Sequence, residues 1–156
     1  SFAHENNCNL IHFTLNTPIK YSNINQKNKT QNMYNWENKT ILIVDDIEVN
    51  YMFLQTILAE TKVKTIYAEN GAIAVSECKI RNDIDVVLMD LKMPVMDGYE
   101  ATSIIKDANP SLPIIIQTAY SFNEEYEKCI KMGCNDFITK PLKSENVLSV
   151  LAKYLK

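Results

Sequence analysis

Val86-Val87-Leu88-Met89-Asp90-Leu91-Lys92-Met93-Pro94-Val95-Met96-Asp97-Gly98 is the stretch on which the reading of this chain turns. Four apolar residues run straight into Asp90, the pattern of a strand buried on both faces of a parallel sheet. Pro94 and the Asp97-Gly98 pair then break the chain into a turn. A carboxylate at the tip of such a strand is held still, partly desolvated and open only at its end. Taken alone, Asp90 could be a simple strand cap, so the reading depends on what the flanking segments deliver.

Upstream, Ile41-Leu42-Ile43-Val44 is a second buried strand, and it runs into Asp45-Asp46. Residues 48–60 follow with helical spacing that puts Val49, Phe53, Leu54, Ile57 and Leu58 on one face. Lys64–Ala68 reads as a strand, and Asn70 is placed to cap a helix reaching about Ile80. Downstream, Asp97 and Glu100 have capping-box spacing and open a helix to about Ala108. Pro113–Gln117 is a strand that delivers Thr118. Ser121 and Glu124 repeat the capping box, and Gly133 stands where a helix C-terminal glycine belongs. Asp136–Thr139 is the last strand and delivers Lys140-Pro141. A final amphipathic helix uses Val147, Leu148, Leu151 and Leu155. Strands alternating with helices of this length predict βαβ units, hence a parallel sheet with helices on both faces.

The totals set bounds. At 156 residues and 46% hydrophobic, the chain has room for one domain with a proper core and a tail. A net charge of −3 argues against a nucleic-acid-binding module. No apolar run is long enough to span a membrane, and no signal peptide is visible. Cys8, Cys78, Cys129 and Cys134 form no C-x-x-C pair, so zinc is not expected and reduced thiols in a cytoplasmic protein are. Residues 1–38 differ from the rest, with ten Asn among them. From Ser22 to Asn38 they read as a polar linker. Ile11, Phe13 and Leu15 alternate with polar residues and end at Pro18, the pattern of a short strand belonging to an upstream domain. The first residue is Ser1, and the chain reads as a piece of a longer protein.

In a parallel sheet all strand C-termini share one edge, and ligands of such folds sit there. That edge collects Asp45, Asp46, Asp90, Thr118 and Lys140. Three carboxylates side by side cannot all stay ionised without a cation. Oxygen-only ligands with room for water suit Mg²⁺. With Mg²⁺ and Lys140 as positive charges, the site suits a phosphoryl group. A carboxylate can be the nucleophile and form an acyl phosphate, and Asp90 is best placed to do so.

With these residues in order, 39–156 resembles a response-regulator receiver domain of two-component signalling. The residues that carry the resemblance are Asp45-Asp46, the run Asp90, Met93-Pro94, Met96-Asp97-Gly98, then Thr118-Ala119 and Lys140-Pro141. The resemblance implies a flavodoxin-like (βα)5 fold, doubly wound, with the parallel sheet in order 2-1-3-4-5. It implies that Asp45, Asp46, Asp90 and the backbone carbonyl of Lys92 bind Mg²⁺. It also implies that Asp90 takes phosphate from a histidine kinase or histidine phosphotransfer domain, that Thr118 and Lys140 grip it, and that Lys140-Pro141 is cis. The switch aromatic of the family falls on Phe137, where many members carry Tyr. Lys92 and Tyr120 flank the expected path of hydrolytic water and are candidate modulators of phosphate lifetime. The last two helices are a candidate homodimer surface.

Phe13-Thr14-Leu15 with Pro18 is similar to the closing strand of a histidine-kinase ATP-binding domain. That order predicts the C-terminal receiver of a hybrid sensor histidine kinase, whose parent chain could be anchored in a membrane. A stand-alone response regulator acting by protein–protein interaction is the alternative. A Mg²⁺-dependent phosphohydrolase is a remote one. Enzymes resembling haloacid dehalogenases carry a second Asp two residues after the nucleophile, and Lys92 occupies that place.

Overall fold

The computed structural model describes residues 34–119 and 124–156. Five strands, β1 (Thr40–Val44), β2 (Lys64–Ala68), β3 (Val86–Asp90), β4 (Ile114–Thr118) and β5 (Asp136–Thr139), alternate with five helices. The helices are α1 (Glu48–Leu58), α2 (Gly71–Ile80), α3 (Gly98–Ala108), α4 (Glu124–Lys131) and α5 (Ser144–Leu151). All strand pairs are parallel and the sheet order is β2-β1-β3-β4-β5. This is the doubly wound flavodoxin-like order expected from the sequence.

The central strands are buried on both faces, and alternate residues serve two separate layers. Leu42, Val44, Val87, Met89, Ile114 and Ile116 face α2, α3 and α4, where Ala74, Ile105 and Cys129 meet them. Ile41, Ile43, Leu88, Ile115 and Ile138 face the other way, against Leu54 and Ile57 of α1 and Leu148 and Leu151 of α5.

Local signals end the elements where the sequence places them. Asn70 accepts from the Ile73 amide at 3.0 Å and starts α2. Asp97 accepts from the Glu100 amide at 2.9 Å and starts α3. Gly133 follows α4 with φ +83°, a left-handed conformation that glycine adopts without steric cost.

The face predicted for α1 needs correction. Leu54, Ile57 and Leu58 are buried, but Val49 and Phe53 are 69% and 47% exposed. They stand with Ile47 and Met52 on an apolar strip that no described residue covers. The periodicity identified apolar positions correctly but could not say that the layer against α5 accommodates only part of them. The domain also starts before residue 39. Trp36 is 5% exposed and packs in the α1/α5 layer with Leu155, stacked on Tyr34 at 5.0 Å between ring centroids. Its amide donates to the Thr61 carbonyl at 2.7 Å. The short strand at Ile11–Leu15, the Ser121 half of the second capping box, and Tyr120 lie outside the described residues.

Candidate functional site

The C-terminal edge of the sheet brings together the residues that the strand ends deliver. Asp45, one residue beyond β1, is fully buried. Its Oδ1 accepts from the Ile47 amide at 2.9 Å and from Asn50 Nδ2 at 2.8 Å. Its Oδ2 pairs with the Lys140 ammonium at 3.2 Å. Asp90, the last residue of β3, pairs through Oδ2 with the same ammonium, also at 3.2 Å. Its Oδ1 accepts from the Leu91 amide at 2.9 Å. Asp46 is exposed at the rim, and one carboxylate oxygen each from Asp45, Asp46 and Asp90 lie within 4.8 Å of one another.

Burial pushes the Asp90 carboxyl above its usual range. The Lys140 ammonium pulls it back, and the Asp45 charge adds to the rise. Asp45 and Asp90 share the Lys140 ammonium and Asp46 stands beside them, an excess of carboxylates that a cation would relieve. All the side-chain donors are oxygens, the preference of Mg²⁺. The donor set therefore fits the ion expected from the sequence.

Lys140 is held by its backbone as well as by its charge. Its amide donates to the Thr118 carbonyl at 2.7 Å, and the Lys140-Pro141 bond is cis. Thr118 ends β4 half-buried, and Lys92 lies exposed in the loop after β3. Both line a cavity of about 140 Å³ with Asp90, Gln117, Ala119 and Lys140. Phe137 is half-buried on the opposite face of β5, packed on the α2/α3 layer.

The loop leaving Asp90 is tightly drawn. Gly98 donates to the Leu91 carbonyl at 3.0 Å, and a Cβ there would run into the Asp90 carbonyl. Only glycine lets α3 start against the strand that carries Asp90. Between them Met96 donates to the Pro94 carbonyl at 2.8 Å, which forces Val95 to φ +70°. A β-branched residue is rarely found in that conformation.

Sequence reasoning missed two residues of the site. Asn50 belongs to no motif read from the sequence, yet its side chain donates to Asp45. Gln117 is fully buried, and neither its amide oxygen nor its amide nitrogen has a hydrogen-bond partner among the described residues. An amide in that state costs the fold about 1–3 kcal/mol.

The comparisons with known proteins agree with this geometry. Residues 41–152 match the response regulator receiver domain family. The chain belongs to that family. This receiver is 38% identical over 117 residues to the chemotaxis protein CheY of Halobacterium salinarum, covering 75% of this chain and 97% of that protein. It is 34% identical over 150 residues to the autoinducer 1 sensor kinase/phosphatase LuxN of Vibrio harveyi, which is 91% of this chain but 17% of that protein. Among solved structures, the receiver domain of a Pseudomonas aeruginosa sensor histidine kinase superposes with a TM-score of 0.69 at 31% identity. That match covers 76% of this chain and 98% of the other, which holds a magnesium ion in its active site cleft. The chain is therefore a two-component receiver domain, a class that works with histidine kinases or phosphotransfer partners. No helix among the described residues is long and apolar enough to cross a membrane.

Proposed function

We propose that this receiver accepts a phosphoryl group from a phosphohistidine onto Asp90 and changes conformation in response. The observation that carries the reading is the Lys140 ammonium seated between Asp45 and Asp90, at 3.2 Å from each, on the ligand-binding edge of the sheet. An Asp90 carboxylate oxygen attacks phosphorus, the phosphorus–nitrogen bond breaks, and the electron pair returns to the donor imidazole. Asp45, Asp46, Asp90 and the Lys92 carbonyl would hold Mg²⁺, which when bound neutralises charge on the phosphoryl oxygens. Lys140 pairs with a second phosphoryl oxygen. The Thr118 hydroxyl donates to a third, and its inward movement vacates space that Phe137 fills.

The experiment is phosphorylation by acetyl phosphate with Mg²⁺, followed by mass spectrometry. Asp90 should carry the phosphoryl group and Asp90→Asn should take none. A phosphoryl group on another side chain, or one retained in Asp90→Asn, would refute the assignment. Thr118→Ala should still be phosphorylated but should lose the accompanying change in the Phe137 ring resonances.

The donor would dock on α1. Ile47, Val49, Met52 and Phe53 form an exposed apolar strip that begins two residues after Asp45, where a helical protein presenting a histidine can cover it. Phe53→Asp should slow transfer from a protein donor and leave acetyl phosphate labelling unchanged. Equal losses with both donors would rule out a docking role.

We further infer that the parent chain is a hybrid sensor histidine kinase. The likeness to LuxN supports this, because it runs over 91% of this chain and thus into the segment before the receiver. A histidine-kinase core immediately upstream in the full coding sequence is the expected finding. Its absence would favour a stand-alone regulator.

A further inference from the structure

Gln117 is a fully buried polar residue that the proposed chemistry does not use. It closes the isoleucine run Ile114-Ile115-Ile116, where another apolar residue would continue the strand without loss. Its register partners are Asp90 on β3 and Ile138 on β5. Alternation along β4 turns it to the same side as Ile115, towards α1 and α5. Asp90 and Lys140, each two residues beyond a residue of that layer, share the side.

The path of the lysine gives this placement its meaning. Lys140 follows β5, yet its ammonium reaches Asp90 on β3 and Asp45 after β1. With β4 lying between β3 and β5, the lysine arm must cross β4. Gln117, turned to the same side, lines with Lys140 the cavity that holds Asp90 and Thr118.

We propose that Gln117 is a positioning residue for Lys140, its amide oxygen accepting a hydrogen bond from the ammonium when Asp45 and Asp90 are engaged by a cation and a phosphoryl group. The inference rests on Asp90 being the phosphoacceptor. In the structure the ammonium donates to Asp45 Oδ2 and is paired with Asp90 Oδ2. A cation competes for the same carboxylate lone pairs, and phosphorylation removes the carboxylate charge of Asp90. The ammonium is then left to the phosphoryl oxygen, and a second acceptor beneath it fixes its direction. Gln117 is a neutral acceptor lining the same cavity, and it adds no fourth carboxylate.

The test compares the parent with Gln117→Met, which keeps the length of the side chain and removes the amide. Metal-free Gln117→Met should melt several degrees higher, because a buried unpaired amide has gone. Its labelling by acetyl phosphate should nevertheless be roughly tenfold slower. A purely structural glutamine would move the first measurement and not the second. In ¹⁵N-labelled parent protein, the Gln117 side-chain amide signals should shift when Mg²⁺ and beryllofluoride are added together. Labelling within about twofold of the parent overturns the inference. So do side-chain signals that stay in place, which decides the matter if Gln117→Met fails to fold. A parent that takes no label under any condition refutes the phosphoacceptor reading and the role of Gln117 with it, an outcome distinct from a labelled parent matched by Gln117→Met.

Discussion

Each edge of the sheet carries a lysine paired with an aspartate, and the two are built for different ends. At the N-terminal edge Lys39 meets Asp85 at 3.3 Å, one charge to one charge, with side chains 32% and 30% exposed. The other Asp85 oxygen accepts from the Thr40 amide at 2.8 Å and so pins β1 to the start of β3. At the C-terminal edge one ammonium bridges two acids of a cluster of three, with Asp45 fully buried. The first arrangement is balanced and complete. The second has an excess of negative charge and an unpaired buried amide beside it, so its native contacts are not the ones that satisfy it best. The contrast separates an ion pair that fastens the fold from one that awaits a ligand.

The largest test of that contrast is to remove each lysine. Lys140→Met should cost the metal-free protein about 3 kcal/mol, since it strands buried Asp45 beside two other carboxylates. Lys39→Met should cost about 1 kcal/mol or less, because its partner is part-exposed and keeps the Thr40 amide. Urea denaturation of both variants measures the difference, and equal losses would break the comparison.

Cation binding sharpens it further. At a Mg²⁺ concentration ten times its dissociation constant, the parent should gain about 1.4 kcal/mol. Asp46→Ala should abolish the gain, while Asp85→Ala should leave it intact. Mg²⁺ stabilisation that survives Asp46→Ala would remove the exposed acid from the ligand set.

A smaller effect is expected from the loop beside the site. Val95 at φ +70° is a strained residue on the C-terminal side, 85% exposed. Val95→Gly should stabilise by about 0.5–1 kcal/mol, the relief of a left-handed conformation less the added chain entropy. An unchanged or lower melting temperature would show that the turn is not under strain.

The quiet edge supplies the last test. Cys134, just ahead of β5, is buried, and burial pushes its thiol up to about 12. In native protein at pH 8 iodoacetamide should label it at least roughly a hundredfold more slowly than in urea, for want of thiolate. Rapid labelling would show that this edge opens.

Much of this was legible because a parallel sheet writes itself plainly. Four of its five strands end on or next to a residue of the candidate site: Asp45, Asp90, Thr118 and Lys140. Helix starts were equally readable at Asn70 and Asp97, where side-chain caps are local chemistry. Three features escaped. Trp36 stands in a polar, asparagine-rich segment, and one buried aromatic has no period to reveal it. Val49 and Phe53 have the spacing of a core face, but periodicity cannot tell which neighbour covers it. Gln117 looked like the polar end of a strand, although the register that sets it against Asp90 exists only once the chain is folded.

The anchoring of Trp36 fixes where any preceding polypeptide is tethered. Its amide holds the Thr61 carbonyl just before β2, and Lys39 leads directly into β1, so the chain arrives at the N-terminal edge. The mouth of the acidic cluster opens at the other. A donor histidine on the same polypeptide would have to travel round the domain by at least the height of the sheet. Five residues of β1 at about 3.3 Å each make that roughly 17 Å. Five or six extended residues cover such a distance. Delivery from the same chain therefore demands a leash of at least that length, laid along the flank rather than across the floor of the molecule.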